Sequence, residues 1–305
     1  MKSETLELGR LITGMRAAYL RGDNMMAWAR HNSKLIGNTT VSTLISYDLQ
    51  AGSYVAGARA NPAYTQKWCA QLAKLIQPYV DSDDKILEVG VGEATTLVGV
   101  SHAINNTKTT FFGFDVSWSR VKVAKDWAKE HSANPRLFVG DLFNIPLADN
   151  SIDIVYTSHS LEPNGGREHA AIAELLRVAR KAVILIEPIY ELAPKEAQQR
   201  MSEHGYVKNL KSTAELNGGN VVEFGLLDIC SNPLNPSGVV LIVKPDPAPK
   251  LTSWSGWLCP LTGAQLVDQG DIFYAGDTGI AYPVVRGIPL LRPEHGFIAS
   301  KIETC

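Results

Sequence analysis

Between residues 61 and 245, short apolar runs alternate with stretches of helical period. The runs lie at 86–89, 111–114, 137–139, 152–156 and 182–186. Between them Val121, Ala124 and Ala128, and later Ile172, Leu175, Leu176 and Ala179, repeat at the spacing of one helix face. Returning a strand parallel to its predecessor takes a crossover helix, so this alternation predicts a doubly wound α/β sheet. Two further runs, 221–224 and 239–243, come close together with no helical pattern between them. They predict an antiparallel pair at the edge of that sheet, seven strands in all.

The flanks differ from this core. Residues 1–60 read as a helical cap: Leu8, Leu11, Ile12 and Met15 fall on one helix face, and Asp23 is placed to cap a second short helix running through Trp28. Pro245, Pro247 and Pro249 predict a stiff, extended linker, and residues 251–305 a small β-rich module. With 29 Lys and Arg against 31 Asp and Glu, the net charge of -2 gives no field to gather nucleic acid or acidic lipid. Cys69, Cys230, Cys259 and Cys305 have no paired spacing, as in reduced cytosolic thiols. Neither a leader pattern at the N-terminus nor a membrane-length apolar run is visible, so a cytoplasmic location is expected.

Chemistry concentrates where the first run ends, in Glu88-Val89-Gly90-Val91-Gly92-Glu93-Ala94-Thr95. Glycines after a buried strand let the backbone approach a ligand closely, and the helix start beyond favours a negative group. A dinucleotide fingerprint would need Gly or Ala at position 95, which is Thr95; a P-loop would need Gly-Lys-Ser/Thr, which is absent. Each following strand also ends in polar residues: Asp115, then Asp141, then Ser158 and His159. Ligands of open α/β sheets bind at the carboxyl ends of the strands. Asp115 is placed to accept ribose hydroxyls and Asp141 an adenine amino group, with Val116 and Leu142 on either face of the ring. A plain turn or helix cap would explain either aspartate singly, but their order along successive strands favours a nucleoside.

The series Glu88-x-Gly90-x-Gly92-x-Ala94, Asp115, Gly140-Asp141-Leu142 and Ser151-Ile152-Asp153-Ile154-Val155 resembles the motifs of class I methyltransferases. It covers roughly residues 80–190. The resemblance implies a Rossmann-like, seven-stranded, mostly parallel sheet and S-adenosylmethionine as cofactor. It places Glu88, Gly90 and Gly92 around the methionine end, Asp115 at the ribose and Asp141 at the adenine. One departure is Ala94, where the common form has a third glycine.

Methyl transfer is an in-line displacement that gains from alignment and, for a hydroxyl acceptor, from a general base. His159 is the candidate base, with the alternative that it only hydrogen-bonds the cofactor or the sheet edge. Glu162, the second catalytic candidate, and Glu187 are placed to orient the acceptor, or are equally surface or capping carboxylates. Tyr47 and Tyr54, with Asp48, precede the glycine motif as lid aromatics do in small-molecule members of the family, although core packing is the stronger claim on at least one tyrosine. The Asn/Asp-Pro-Pro-Tyr/Phe motif of adenine-N6 and glutamine methyltransferases is absent; Ser158-His159-Ser160-Leu161 stands there. A small metabolite or glycan-type acceptor is therefore expected. Methylation of RNA or a translation factor, or a non-catalytic binding role, are the alternatives, and a homo-oligomer is left open.

Tyr282-Pro283 through Gly287-Ile288-Pro289 resembles the small zinc-ribbon-like subunits that activate certain methyltransferases. Zinc needs about four ligands, yet only Cys259 remains where Thr262 and Ala275 replace others. The expectation is a metal-free module that docks on the catalytic domain by burying Ile288, Leu290 and Leu291.

Overall fold

A computed structural model describes residues 2–32, 39–104, 106, 108–250 and 254–302. Met1, Cys305 and residues 251–253 and 303–304 of the expected tail lie outside them. Each apolar run becomes a strand: β1 (Lys85–Val89), β2 (Thr110–Asp115), β3 (Arg136–Val139), β4 (Ile152–Ser158), β5 (Ala179–Pro188), β6 (Asn220–Leu226) and β7 (Ser237–Val243). They form one sheet in the order β3-β2-β1-β4-β5-β7-β6. The first five are parallel; β7 runs antiparallel between β5 and β6, so of that pair only β6 lies at an edge, and β3 forms the opposite edge. Ala179, expected on a helix face, is instead the first residue of β5.

Helices cover both faces. On one lie α5 (Pro62–Ile76), α6 (Thr95–Ala103) and α7 (Trp118–Glu130), whose Leu72, Leu97 and Val121 meet Ile86, Ile154 and Ile184. On the other, α8 (Glu168–Val178) and α10 (Leu210–Leu216) pack Ile172, Leu175 and Leu210 on Leu87, Val155 and Leu185. Strand residues one apart thus serve opposite cores. Between β5 and α10, α9 (Lys195–Glu203) seats Ala197 and Met201 near Tyr190 and Tyr206.

The N-terminal 60 residues hold four helices: α1 (Lys2–Leu20), α2 (Met25–Asn32), α3 (Thr40–Leu49) and α4 (Ser53–Ala60). Two details depart from expectation. The buried stripe of α1 is Leu11, Met15 and Ala18, with Leu8 and Ile12 exposed. Asn24, not Asp23, caps α2: its Oδ1 accepts the Ala27 N–H at 2.9 Å, while Asp23 pairs with Arg21. Among the described residues no helix is long and apolar enough to cross a membrane.

The tail forms a small antiparallel sheet of β8 (Val267–Asp268), β9 (Ile272–Ala275), β10 (Ile280–Val285), β11 (Ile288–Pro289) and β12 (Phe297–Ile298). It lies along the β3 edge, where Leu291 N–H donates to Val139 O at 2.8 Å and Leu290 bridges Val139 in parallel. Ile288 and Leu291 are fully buried there, Leu290 packed beside them. Trp257 packs its indole on Phe138 (4.5 Å between centroids) and edge-on to Phe112 (6.4 Å). Cys259 is buried with its Sγ 3.4 Å from the Tyr282 hydroxyl. No group of three or more His, Cys, Asp or Glu among the described residues is arranged to hold a metal. The linker is pinned as well as stiff, since Lys250 reaches Ser82 O and Asp84 and Arg180 reaches Ala248 O.

Candidate functional site

The carboxyl ends of the parallel strands open into a cavity of about 660 Å³. At its floor β1 leads into Gly90 (φ 68°) and Gly92 (φ 53°), where left-handed backbone turns the chain into α6. A Cβ on Gly90 would sit 2.3 Å from Ser160 Cβ, and one on Gly92 would meet the Tyr54 ring at 3.2 Å. Ala94 also has positive φ (57°), which gives the physical reason why glycine is the common residue of that motif position.

Asp115, at the end of β2, accepts the N–H groups of Gly92 (3.1 Å) and Ser117 (2.9 Å). Its carboxylate lines the cavity beside Val116. Burial raises its pKa, against the pull of Ser117 N–H, Arg120 and Gly92 N–H. After β3, Asp141 holds its own turn by accepting Phe143 N–H at 2.9 Å, and it lines the same cavity with Leu142 and Ser158. The tail grips this loop from behind: Asn144 Nδ2 donates to Pro260 O at 2.6 Å, and Leu258 N–H to Pro146 O at 3.0 Å.

Two expected site residues are sealed away from the cavity. Glu88 is buried in the sheet and accepts the Tyr156 hydroxyl at 2.7 Å; burial, opposed by that bond, pushes its pKa up to about 8. Its carboxylate thereby ties β1 to β4 inside the core. Glu187 is fully buried and accepts the N–H groups of Ser160, Leu161 and Glu162. It is a staple for the loop after β4, not a group an acceptor can touch. Burial raises it to about 7, opposed mainly by the charge of His159.

That loop carries His159 in left-handed backbone (φ 57°), a conformation costly for a residue with Cβ. His159 Nδ1 bonds Glu162 Oε2 at 2.9 Å and Nε2 bonds Ser237 Oγ at 2.8 Å. Both ring nitrogens are thereby engaged. Burial alone would depress the imidazole, but the hydrogen bond and charge of Glu162, then the charge of Glu187, hold it above its usual range. Glu162 also accepts Asn235 Nδ2 at 3.2 Å, and it borders the cavity together with His159.

Tyr47 and Tyr54 both line the cavity. They flank Arg120, whose guanidinium lies 5.0 Å from the Tyr47 ring centroid and 4.3 Å from that of Tyr54. Sequence reasoning missed Arg120 and Glu93. Glu93, fully buried, accepts Gly52 and Val55 N–H and sits 3.4 Å from Arg120 Nη1; Arg120 Nε donates to Tyr47 O. Asp48 accepts the Ser117 hydroxyl at 2.7 Å. The helical cap is thus stitched to the glycine loop. One signal was legible: Arg120 stands in the helical phase of Val121, Ala124 and Ala128, where a charge needs a buried partner.

The site fits a nucleoside cofactor on its own chemistry. Bare glycine backbone, two strand-end carboxylates, apolar side chains beside each and a buried Arg120 Nη2 with no hydrogen-bond partner share one cavity. Residues 86–182 match the family model described as a methyltransferase domain. "Probable methyltransferase ltbC" from Aspergillus luteorubrus is 29% identical over 147 residues, 45% of this chain. The chain spans 51% of that relative's length. Among solved structures, a chain of the complex between the Haloferax volcanii Trm112 methyltransferase activator and a methyltransferase shares the fold: TM-score 0.50, 17% identity, 65% of this chain and 97% of that one covered. Magnesium protoporphyrin IX methyltransferase (ChlM) from Synechocystis PCC 6803, with bound S-adenosylhomocysteine, matches at TM-score 0.48 and 16% identity, over 71% and 92% of the two chains. The likeness to a methyltransferase domain therefore covers residues 86–182, the stretch that holds the glycine loop, Asp115 and Asp141.

Proposed function

We propose that this chain transfers a methyl group from S-adenosylmethionine to a small metabolite or glycan-type acceptor. The observation that carries the reading is the convergence of Gly90, Gly92, Asp115 and Asp141 on one cavity at the strand ends. Bound there, the cofactor supplies an electrophilic sulfonium methyl group. Asp115 accepts the ribose hydroxyls through lone pairs not used by Gly92 and Ser117. Asp141 accepts the adenine amino group, with Val116 and Leu142 against the ring. Gly90, Gly92 and Ser158 border the methionine end, with Glu88 tying β1 to β4 in the core.

Glu162 is the better placed base. A neutral His159 donates from Nδ1 to Glu162 and accepts Ser237 at Nε2; a protonated one donates at both. Neither form leaves a lone pair facing an acceptor. His159 is then the positioning residue, and the acceptor proton passes to the Glu162 carboxylate. Tyr47 and Tyr54 close over the site from the helical cap. By holding the 141–147 loop, the tail supplies in cis the support that a separate activating subunit would give.

Calorimetry with S-adenosylhomocysteine tests the reading. Asp115→Ala loses charge-assisted hydrogen bonds worth about 1.5–3 kcal/mol, a weakening of roughly ten- to a hundredfold. Equal affinity in both proteins would remove the ribose assignment.

A further inference from the structure

The cavity at the strand ends does not stop at the proposed cofactor site. Tyr47, Tyr54, Glu162, Arg200 and Tyr206 also border a second hollow of about 720 Å³, which runs beneath α1 and α2. A cavity of roughly 300–1,000 Å³ serves one drug-sized ligand. Two such spaces sharing a wall have room for two molecules, the cofactor in one and an acceptor of comparable bulk in the other.

The chemistry of the second hollow is lopsided. One side is apolar and soft, with Tyr19, Met25 and Met26. The other is a basic and aromatic wall on and after α9. Arg200 lies 5.8 Å over the Tyr206 ring, and His204 stacks on that ring at 5.4 Å and 28°. Arg200 makes a long 3.5 Å hydrogen bond to Leu234 O and shares the Tyr206 hydroxyl with Glu162, but forms no ion pair with a carboxylate among the described residues. The carboxylates that face the hollow are already engaged: Asp23 by Arg21, and Glu162 by His159 and Asn235. Burial, then the positive charges of Arg200 and Arg30, push His204 below its ordinary range, in keeping with a surplus of cation at this wall.

A guanidinium on an aromatic face, beside an apolar trough, matches a planar body ending in a carboxylate, which Arg binds in a bidentate fork. The geometry points to a hydroxylated aromatic acid as the acceptor class, its carboxylate on Arg200 and its hydroxyl at Glu162. This rests on the methyltransferase reading of the adjoining cavity. Within that reading it separates an aromatic acid from a neutral glycan, which would leave the guanidinium without a counter-charge.

The test is calorimetry on the full chain saturated with S-adenosylhomocysteine, titrated with 4-hydroxycinnamate and separately with its uncharged carboxamide. The acid should bind about ten- to a hundredfold more tightly than the amide. Arg200→Gln should erase that preference, and Arg200→Lys should keep part of it. An acid that does not bind, binds no better than its amide, or keeps its advantage in Arg200→Gln overturns the inference. Titration with S-adenosylhomocysteine alone separates the two readings. Cofactor uptake without an acid preference sinks only the acceptor class, whereas an acid preference without cofactor uptake sinks the methyltransferase reading.

Discussion

Trp257 ties the tail to the two strands whose ends carry Asp115 and Asp141, so truncating it tests whether sheet and tail are one cooperative unit. The indole is 7% exposed, packed on Phe138 and Phe112, with Trp254 edge-on at 5.2 Å. Replacing a buried indole by a methyl group removes most of these contacts and leaves a cavity that the flanking strands cannot close. Such truncations cost about 3–5 kcal/mol, a large share of the roughly 5–15 kcal/mol that holds a domain folded. For a chain of this size the midpoint of thermal unfolding should fall on the order of 10 °C for Trp257→Ala. Trp257→Phe, which keeps a ring in the slot, should recover much of that. The assay is thermal and denaturant unfolding of the full chain, followed by both near- and far-ultraviolet circular dichroism. One transition, shifted as a whole, is the expected result. A separate early transition with the main one unmoved, or a loss under about 1 kcal/mol, would refute the coupling and make the tail an independent module.

Gly90→Ala adds a Cβ in left-handed backbone, 2.3 Å from Ser160 Cβ; uptake of S-adenosylhomocysteine by calorimetry should fall at least about tenfold, and unchanged affinity would show that the loop is not the ligand floor. Glu162→Gln should lower turnover by about 10²–10⁴, measured as S-adenosylhomocysteine released, whereas His159→Gln should lower it less; the reverse order would return the base role to His159. Asp84 is fully buried beneath Lys181 and Lys250, and although burial raises its carboxyl, hydrogen bonds from both lysines and Asp81 N–H leave it below the usual value of 3.8. A depressed carboxyl contributes stability above pH 3.8 and loses it as pH falls through the folded value. Asp84→Asn should therefore cost on the order of 3 kcal/mol near pH 7, with the gap to wild type narrowing only below pH 3.8 in denaturant titrations; a gap already closed at pH 5 would contradict it.

The seven strands and their order of use were legible because they are local patterns: apolar runs at fixed spacing, glycines after the first, acidic residues after the next two. Facing was less so. β1 is buried on both faces, so no polar alternation along 85–89 tells which core receives Glu88. Glu187 lies at the end of β5, where an open strand end and a sealed one look alike in one dimension. Partners distant in the chain were illegible for the same reason: Glu93 meets Gly52 and Val55, and Arg120 meets the Tyr47 carbonyl 73 residues away. In the cap, Asp23 and Asn24 are equally good capping residues, and the difference of one position goes with Arg21 taking the Asp23 carboxylate while Asn24 caps the helix.

The grip on the 141–147 loop has a consequence in time. Asn144 reaches Pro260, 116 residues on, and Val139 is bridged by Leu290 from still later in the chain. Contacts of such sequence separation form slowly, after loop closure has been achieved. While the polypeptide is being made, the parallel strands are complete well before the segment that steadies the 141–147 loop emerges. Until then Phe112 and Phe138 lie uncovered by the tryptophans, a species prone to sticking to its neighbours. Cofactor competence should accordingly be the last property a newly made chain acquires. In a refolding experiment, secondary structure would return first and S-adenosylhomocysteine uptake would lag behind it, keeping pace with burial of Trp257.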